Sequence, residues 1–273
     1  MGHANPSHRA EAACGLGMLL LRVGRIDDAE VPLNSAAEST DPRWAGWGTL
    51  KIAQISELKG DIQSARVVYE RLSTNDDKEV RAEALSRLGL ILFRLKDPAA
   101  EATLRRASDL VETFGGRQAG VNLAVMLEQS KRTGEAVDIY QRVAASRDPE
   151  LSPKALVNLG LLLNRLGERG RARECFTQAL ATRHPRHACN AAVNLCEMDR
   201  DDGRLVSALH FLEAAMEFDQ VDLAAELHLR RADLLVALGR LSAARQEFHR
   251  VIETGHRDYA PAAYERLQKL PKV

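Results

Sequence analysis

The stretch KALVNLGLLLNRLGERGRARECFTQALATRHP, from Lys154 to Pro185, decides the fold of this 273-residue chain. It contains two amphipathic segments joined by a turn at Gly167. Gly160 in the first segment and Ala172 in the second are small enough for two helix backbones to approach closely. Phe176 lies four residues after Ala172, on the same helical face, and can fill the space beside that contact. The stretch therefore predicts a tightly packed helical hairpin.

The same pattern recurs along the chain at steps of 36, 35, 36, 36, 36 and 36 residues. The residues equivalent to Ala172 are Ala29, Ala65, Ala100, Ala136, Ala208 and Ala244, and a bulky apolar residue follows each of the seven alanines: Leu33, Tyr69, Leu104, Tyr140, Phe176, Leu212 and Phe248. Twelve residues before each alanine is a small residue: Gly17, Ala53, Ala124, Gly160, Cys196 and Ala232, with Gly89 matching after a one-residue deletion. In the same register the turns fall at Gly24, Gly60, Lys96, Lys131, Gly167, Gly203 and Gly239. A single hairpin cannot bury its apolar face, so successive copies must stack.

This pattern resembles the tetratricopeptide repeat, on the strength of Leu159-Gly160, Ala172, Phe176, Ala179 and Pro185. The resemblance extends over nearly the whole chain, although the period is about 36 residues and not the usual 34. It implies a right-handed all-α solenoid whose first helices line a concave groove. It also implies a non-enzymatic module for protein–protein interaction.

We expect seven hairpins and a C-terminal capping helix in one domain spanning residues 1–273. The repeats are placed at about 7–41, 42–77, 78–114, 115–149, 150–185, 186–220 and 221–258, and the capping helix at 259–270. Asp97 and Pro98 are expected to make a turn glycine dispensable in the third copy, because they supply a cap and a first-turn proline. Gly115-Gly116 is expected to break the chain before the fourth copy.

Charge and composition exclude several kinds of partner. Lysine plus arginine and aspartate plus glutamate each number 38, so no net field draws the protein to nucleic acid or to a membrane. No secretory signal is recognisable, and four cysteines suit a reducing compartment. We therefore expect a cytoplasmic protein.

No set of residues predicts catalysis or a cofactor. His184, His187 and Cys189 are close in sequence, with Cys175 and Cys196 nearby, but a polar loop with buried thiols is the simpler interpretation. We therefore expect no metal and no enzyme activity.

One polar set recurs with the repeat. Fourteen residues before the repeated alanine, copies four, five and six carry Asn122, Asn158 and Asn194, each within Val-Asn-Leu. The corresponding residues in the second, third and seventh copies are Lys51, Arg87 (after the deletion) and Arg230. Asparagine can donate to and accept from a peptide backbone, and it is a poor interior helix residue unless something uses it. The alternatives are that duplication copied the tripeptide, or that the amides tie neighbouring helices together.

The resemblance adds a specific comparison. Many tetratricopeptide domains clamp a C-terminal carboxylate with lysine, asparagine and arginine side chains, and Lys154, Asn158, Asn194 and Arg230 match that clamp. Glu226 stands where the clamp has a second lysine, which favours a more general groove for an extended peptide. An acidic or C-terminal segment is the candidate ligand. The candidate peptide-binding residues are Asn122, Asn158, Asn194, Lys154, Arg87, Arg230, Lys51 and Arg165.

Trp47, four residues before Lys51, is expected on the same helical face as that lysine. It lies either near the groove or packed against the first copy.

The leading function is thus a protein-interaction module that binds an extended segment of a partner. The alternative is a regulatory subunit that senses a peptide or docks a partner and controls an effector on another chain. Self-association through an incompletely covered end repeat is a further possibility.

Overall fold

The computed structural model describes residues 5–218 and 220–271, which form fifteen α-helices and no strand. The helices are α1 (Pro6–Arg22), α2 (Ile26–Ala37), α3 (Pro42–Leu58), α4 (Ile62–Leu72), α5 (Lys78–Arg94), α6 (Ala99–Ser108), α7 (Phe114–Gln129), α8 (Thr133–Ala145), α9 (Leu151–Arg165), α10 (Arg169–Ala181), α11 (Pro185–Asp201), α12 (Leu205–Met216), α13 (Val221–Ala237), α14 (Leu241–Glu253) and α15 (Tyr259–Lys269). Helices α1 to α14 form pairs, each with a short turn, and α15 follows as a single helix. The predicted all-α hairpin architecture is confirmed.

The repeated alanines and the residues around them are buried as the sequence predicts. All seven alanines are 4% exposed or less, and Tyr69, Tyr140, Phe176 and Phe248 are among the largest fully buried side chains. The small residues of the first helices leave room for these bulky partners. A Cβ added at Gly160 would lie 2.6 Å from Phe176 Cε1, so each hairpin closes on the contact that the pattern indicated.

The turn within each hairpin ends its first helix with a left-handed residue. In the turn at Gly167, the backbone N–H of Glu168 donates to the carbonyl of Leu163 at 2.9 Å, as in a Schellman motif. Lys96 and Lys131 adopt φ of 56° and 60° at the equivalent positions. Asp97 accepts from Ala99 N at 2.9 Å, as the predicted cap requires. The third turn nevertheless keeps a left-handed residue, Lys96, because that conformation is needed for the hydrogen bonds that close the first helix.

Gly115 and Gly116 do not break the chain. Both lie in the first turn of α7, and Thr113 caps that helix by accepting from Gly116 N at 2.9 Å. A Cβ at Gly115 would lie 2.4 Å from the backbone nitrogen of Glu83, and one at Gly116 would lie 2.0 Å from Leu110 O. These glycines therefore allow close approach of α7 to the preceding hairpin.

The chain divides into two compact units, residues 1–146 and residues 147–273. The first unit contains α1 to α8, and the second contains α9 to α15. The four cysteines are all buried free thiols. Among the described residues, no helix is long and apolar enough to cross a membrane. The single domain and the repeat boundaries given above remain predictions.

Candidate functional site

Lys154 and Asn158 lie one turn apart on α9, in the second unit, and both side chains are half-buried. Within the described part of the chain, Lys154 forms no ion pair and the Asn158 side chain forms no hydrogen bond. Helical spacing of four residues places the two on one face of α9. That face therefore presents an ammonium group and a primary amide to any ligand lying along it.

Asn190 and Asn194 also lie one helical turn apart, on α11. Asn194 Nδ2 donates to the backbone carbonyl of Asn190 at 2.8 Å, which orients the amide and leaves Asn194 Oδ1 as an acceptor. The amide of Asn194 is thus partly used within its own helix, as is common for polar residues inside helices.

A pocket of about 210 Å³ lies beside these residues, formed by α9, α11 and α13. Its lining is Val157, Leu161, Asn190, Val193, Asn194, Leu223, Glu226 and Leu227. The apolar lining and the few polar groups at its edge are the ordinary composition of a ligand site.

Arg230 is held within an internal ion cluster. Its Nε and NH2 atoms contact Glu226 Oε1 at 2.9 and 2.7 Å, and it also pairs with Glu197. The Tyr259 hydroxyl donates to the other oxygen of Glu226 at 3.1 Å. Glu226 therefore neutralises Arg230, at the position where the resemblance to the clamp would place a second lysine.

The first unit repeats this arrangement. Arg87 Nε contacts Glu83 at 3.0 Å, and its NH1 contacts Glu57 Oε2 at 3.3 Å. Glu57 in turn accepts from the hydroxyl of Tyr69 at 3.2 Å. In both units an arginine is thus bound by the glutamate four residues before it and by a glutamate from the preceding first helix.

Lys51 lies over the ring of Trp47, with Nζ 5.3 Å from the ring centroid, and contacts Gln54 Oε1 at 3.3 Å. Burial lowers the pKa of Lys51, while the nearby Glu83 opposes that shift. Trp44 and Trp47 both pack against the core around Cys14 and Leu33. Trp47 therefore packs on the first copy, which is one of its two predicted placements, and it also shields Lys51. Its position near a groove remains a prediction.

The remaining two candidates, Asn122 and Arg165, lie in different surroundings from each other. The Asn122 amide accepts from Gln118 Nε2 at 3.3 Å, and its Nδ2 atom is buried without a hydrogen-bond partner among the described residues. Arg165 is exposed at the end of α9.

Glu150, His184 and His187 form a cluster whose ligand atoms lie within 4.8 Å of one another. His184 Nδ1 accepts from the backbone N–H of His187 at 3.2 Å, capping α11, and its Nε2 contacts Glu150 Oε2 at 3.0 Å. A metal on Nε2 would require a proton on Nδ1, directly facing that backbone N–H, whereas a metal-bound histidine normally donates its second N–H to an acceptor. The hydrogen bonds therefore fit a helix cap better than a metal ligand, and His256 caps its turn in the same way, through Asp258 N at 3.2 Å.

The pocket was not predicted from the sequence, although part of the signal was present. Val157 and Val193 are the valines of the recurrent Val-Asn-Leu tripeptides, and both line it. The repeat pattern does not single out Asn190, Leu223 or Leu227 as pocket residues, because their common surface exists only once α9, α11 and α13 surround the pocket.

Residues 153–183 match the model of the tetratricopeptide repeat family. Solved structures with this fold include PilW, a type IV pilus biogenesis factor (TM-score 0.57, 18% identity, 81% of this chain and 98% of that chain). Another is PilF from Pseudomonas aeruginosa (TM-score 0.54, 17% identity, 96% and 98%). A signal transduction ATPase with a tetratricopeptide repeat sensor, from Pyrococcus horikoshii, also matches (TM-score 0.61, 16% identity), and the match covers 94% of this chain but 43% of that one. No curated protein matches the sequence.

The chain therefore has the all-α repeat fold of these structures, and residues 153–183 match the tetratricopeptide repeat itself. This fold generally serves as a non-enzymatic scaffold for protein–protein interaction.

Proposed function

We propose that the second unit binds an extended segment of a partner protein along α9, α11 and α13. The observation that supports this most directly is the free amide of Asn158, one turn from the unpaired Lys154 and on a helix that also lines an apolar pocket. An asparagine inside a helix that makes no hydrogen bond to its own protein is available to a ligand.

The chemistry of the site suggests what the segment contains. Asn158 and Asn194 can pair with its backbone, which requires no particular side chain. One apolar side chain of the segment would enter the pocket between Val157, Val193 and Leu227. Lys154 would favour a nearby carboxylate, and that contribution should weaken with salt. Because Arg230 is neutralised by two glutamates, we assign the acidic preference to Lys154 and not to the arginines.

The first unit takes a smaller part in this proposal. Arg87 is paired with Glu83 and Glu57, Lys51 is shielded by Trp47, and the Asn122 nitrogen is buried. We therefore place the recognition of the backbone on Asn158 and Asn194. The cytoplasm remains the expected location, since four buried free thiols are stable in a reducing compartment.

A peptide-display library selected on the purified protein tests the proposal. We expect enrichment of extended sequences with an apolar residue near an acidic one. The double variant Asn158→Ala/Asn194→Ala should remain folded, because alanine is the better helix former. Loss of two net hydrogen bonds of about 1 kcal/mol each should weaken binding of a selected peptide roughly 30-fold.

Asn164→Ala is the matched control, since Asn164 is an exposed asparagine on the same helix. It should leave affinity unchanged. If the double variant unfolds, the amides are structural ties between helices. If it folds and binds as the parent does, the proposed site is wrong. A regulatory subunit, the alternative function, would use the same site and would differ in changing the activity of the captured partner.

A further inference from the structure

Helix α1 exposes an apolar stripe, and two of its positions, Ala12 and Leu19, are buried in the equivalent helices of later hairpins. Leu16, Leu19 and Val23 are 52%, 51% and 61% exposed, and Ala12 is exposed on the same stripe. The spacing of four, three and four residues places these side chains on one helical face. Because α1 packs against α2 and α3, this stripe is the side of α1 that has no neighbour in the described chain.

The equivalent positions in later first helices show which element covers this surface elsewhere in the chain. Five hairpins are preceded by another hairpin of the same unit. In each of them the residue equivalent to Leu19 is 6% exposed or less: Ile55, Ile91, Met126, Met198 and Leu234. The residues equivalent to Ala12 are buried as well: Gly48, Ala84, Ala119, Ala191 and Leu227. At Gly48 the covering element is the preceding second helix, since an added Cβ would lie 2.5 Å from Ala37 N and 2.8 Å from Leu33 O. At Ala12 and Leu19 the surface of α1 thus continues an interface that the chain forms repeatedly within itself.

We propose that the stripe Ala12–Leu16–Leu19–Val23 binds the same stripe of a second copy of this chain, across a two-fold axis. A two-fold contact requires a surface that is complementary to itself. When two α1 helices pack antiparallel about a point between Gly17 and Met18, Ala12 lies opposite Val23, and Leu16 lies opposite Leu19. Every contact then joins two apolar residues, and the smallest residue faces the β-branched one.

The charges around the stripe favour the same partner. No charged residue occurs from Ala12 to Leu21, so two copies can approach without burying a charge. Glu11 precedes the stripe, and its side chain is 57% exposed with a single contact, to His8 at 3.6 Å. Arg22 lies on the same side of the helix at its other end and is exposed. Antiparallel packing brings Glu11 of each copy towards Arg22 of the other, whereas parallel packing would place like charges together.

The contact is small, so the dimer should be weak. Ala12 to Val23 spans about 16 Å of helix. An interface of this extent belongs to the smallest class, which is typical of transient association. We therefore expect a reversible equilibrium with a dissociation constant on the order of 10 μM or weaker.

Sedimentation velocity of the purified 30.1 kDa protein over a concentration series tests this. We expect a monomer at low concentration and a growing fraction of dimer above about 10 μM. The variant Leu16→Glu/Leu19→Glu should keep its helical circular dichroism, because both side chains are exposed, and should dimerise at least tenfold more weakly. Val31→Glu/Val67→Glu is the matched control, since these valines are 77% and 64% exposed on second helices of the same unit. It should dimerise as the parent does.

A charge exchange tests the antiparallel arrangement. Glu11→Arg should weaken the dimer by placing arginine towards arginine, and addition of Arg22→Glu should restore it. A parent that stays monomeric at every concentration overturns the proposal, as does a dimer that survives Leu16→Glu/Leu19→Glu. A double exchange that fails to recover association overturns the two-fold antiparallel contact.

Discussion

At the scale of single residues, the turns of this chain require a left-handed backbone whether or not glycine is present. Lys96 and Lys131 adopt φ of 56° and 60°, where Gly24, Gly60, Gly167, Gly203 and Gly239 occupy the equivalent turns. A residue with a Cβ is disfavoured there by roughly 1–2 kcal/mol. The hydrogen bonds of the Schellman motif hold the lysines in place.

Lys131→Gly should therefore stabilise the protein. The relief of backbone strain is partly offset by the greater entropy of glycine in the unfolded chain, leaving a gain of about 0.5–1 kcal/mol. Thermal unfolding should shift upward by about 1–4 °C. Ser130→Gly is the control in the same turn: Ser130 has φ of −84°, so glycine relieves nothing there and should be neutral or destabilising. Equal effects from the two variants would mean that strain at Lys131 is not the cause.

His187 should make stability depend on pH. Burial, and then the neighbouring His184, lower the pKa of His187 to about 4, with Lys154 and Arg186 adding to the effect and Glu150 opposing it. In the unfolded chain this histidine binds its proton near pH 6.5. The free energy of unfolding is therefore highest above pH 6.5 and decreases as the pH falls towards 4. Partial exposure reduces the effect to about 1–2 kcal/mol.

Urea unfolding at pH 7.0, 5.5 and 4.5 measures this contribution. His187→Gln should lose less stability between pH 7.0 and 4.5 than the parent does. His8→Gln, at a histidine whose side chain is 73% exposed, should follow the parent. An identical pH dependence in the parent and His187→Gln would contradict the assignment.

At the scale of helices, each hairpin depends on a small residue in its first helix that faces a bulky residue in its second. Gly160 faces Phe176 in the hairpin α9–α10, and Gly17 and Gly89 face leucines in the same way. The spacing of these residues was visible in the sequence, because both members of each pair are set by helical periodicity. The helix caps were visible in part, as at Asp97, which accepts from Ala99 N at 2.9 Å.

The variants Gly160→Ala and Gly170→Ala distinguish the effect of close packing on stability from the effect of helix propensity. A Cβ at Gly160 meets Phe176 at 2.6 Å, so overpacking should destabilise the protein by about 1–3 kcal/mol. Gly170 lies in α10 with nothing within 4 Å of an added Cβ, so alanine there should stabilise by about 0.5–1 kcal/mol. Chemical denaturation of the two variants should give changes of opposite sign. A stabilised Gly160→Ala protein would show that the two helices can separate at little cost.

At the scale of the whole molecule, the chain consists of two compact units of hairpins. In a repeat fold each hairpin contacts mainly its neighbours, so a local defect should remain local. Gly89→Ala, which places a Cβ 2.6 Å from Leu104, should raise hydrogen exchange in α5, α6 and the helices packed on them. Exchange in α13 and α14 should stay at the parental rate. A uniform increase across all fifteen helices would indicate that the chain unfolds as one cooperative body.

The amino-acid sequence by itself determined the helices, their pairing into hairpins and the position of each close contact. These properties depend on periodicity and on residue size over fewer than 40 residues, which is local information. It also identified Lys154, Asn158 and Asn194 as polar side chains on first helices. The tertiary structure decided which of the candidate side chains are available. Arg87 and Arg230 are neutralised by glutamates from neighbouring hairpins, and the pocket beside Asn194 has lining from three helices. The charge state of a groove and the shape of a pocket depend on side chains about 30 residues apart in sequence, and repeat spacing alone does not show which of these side chains meet.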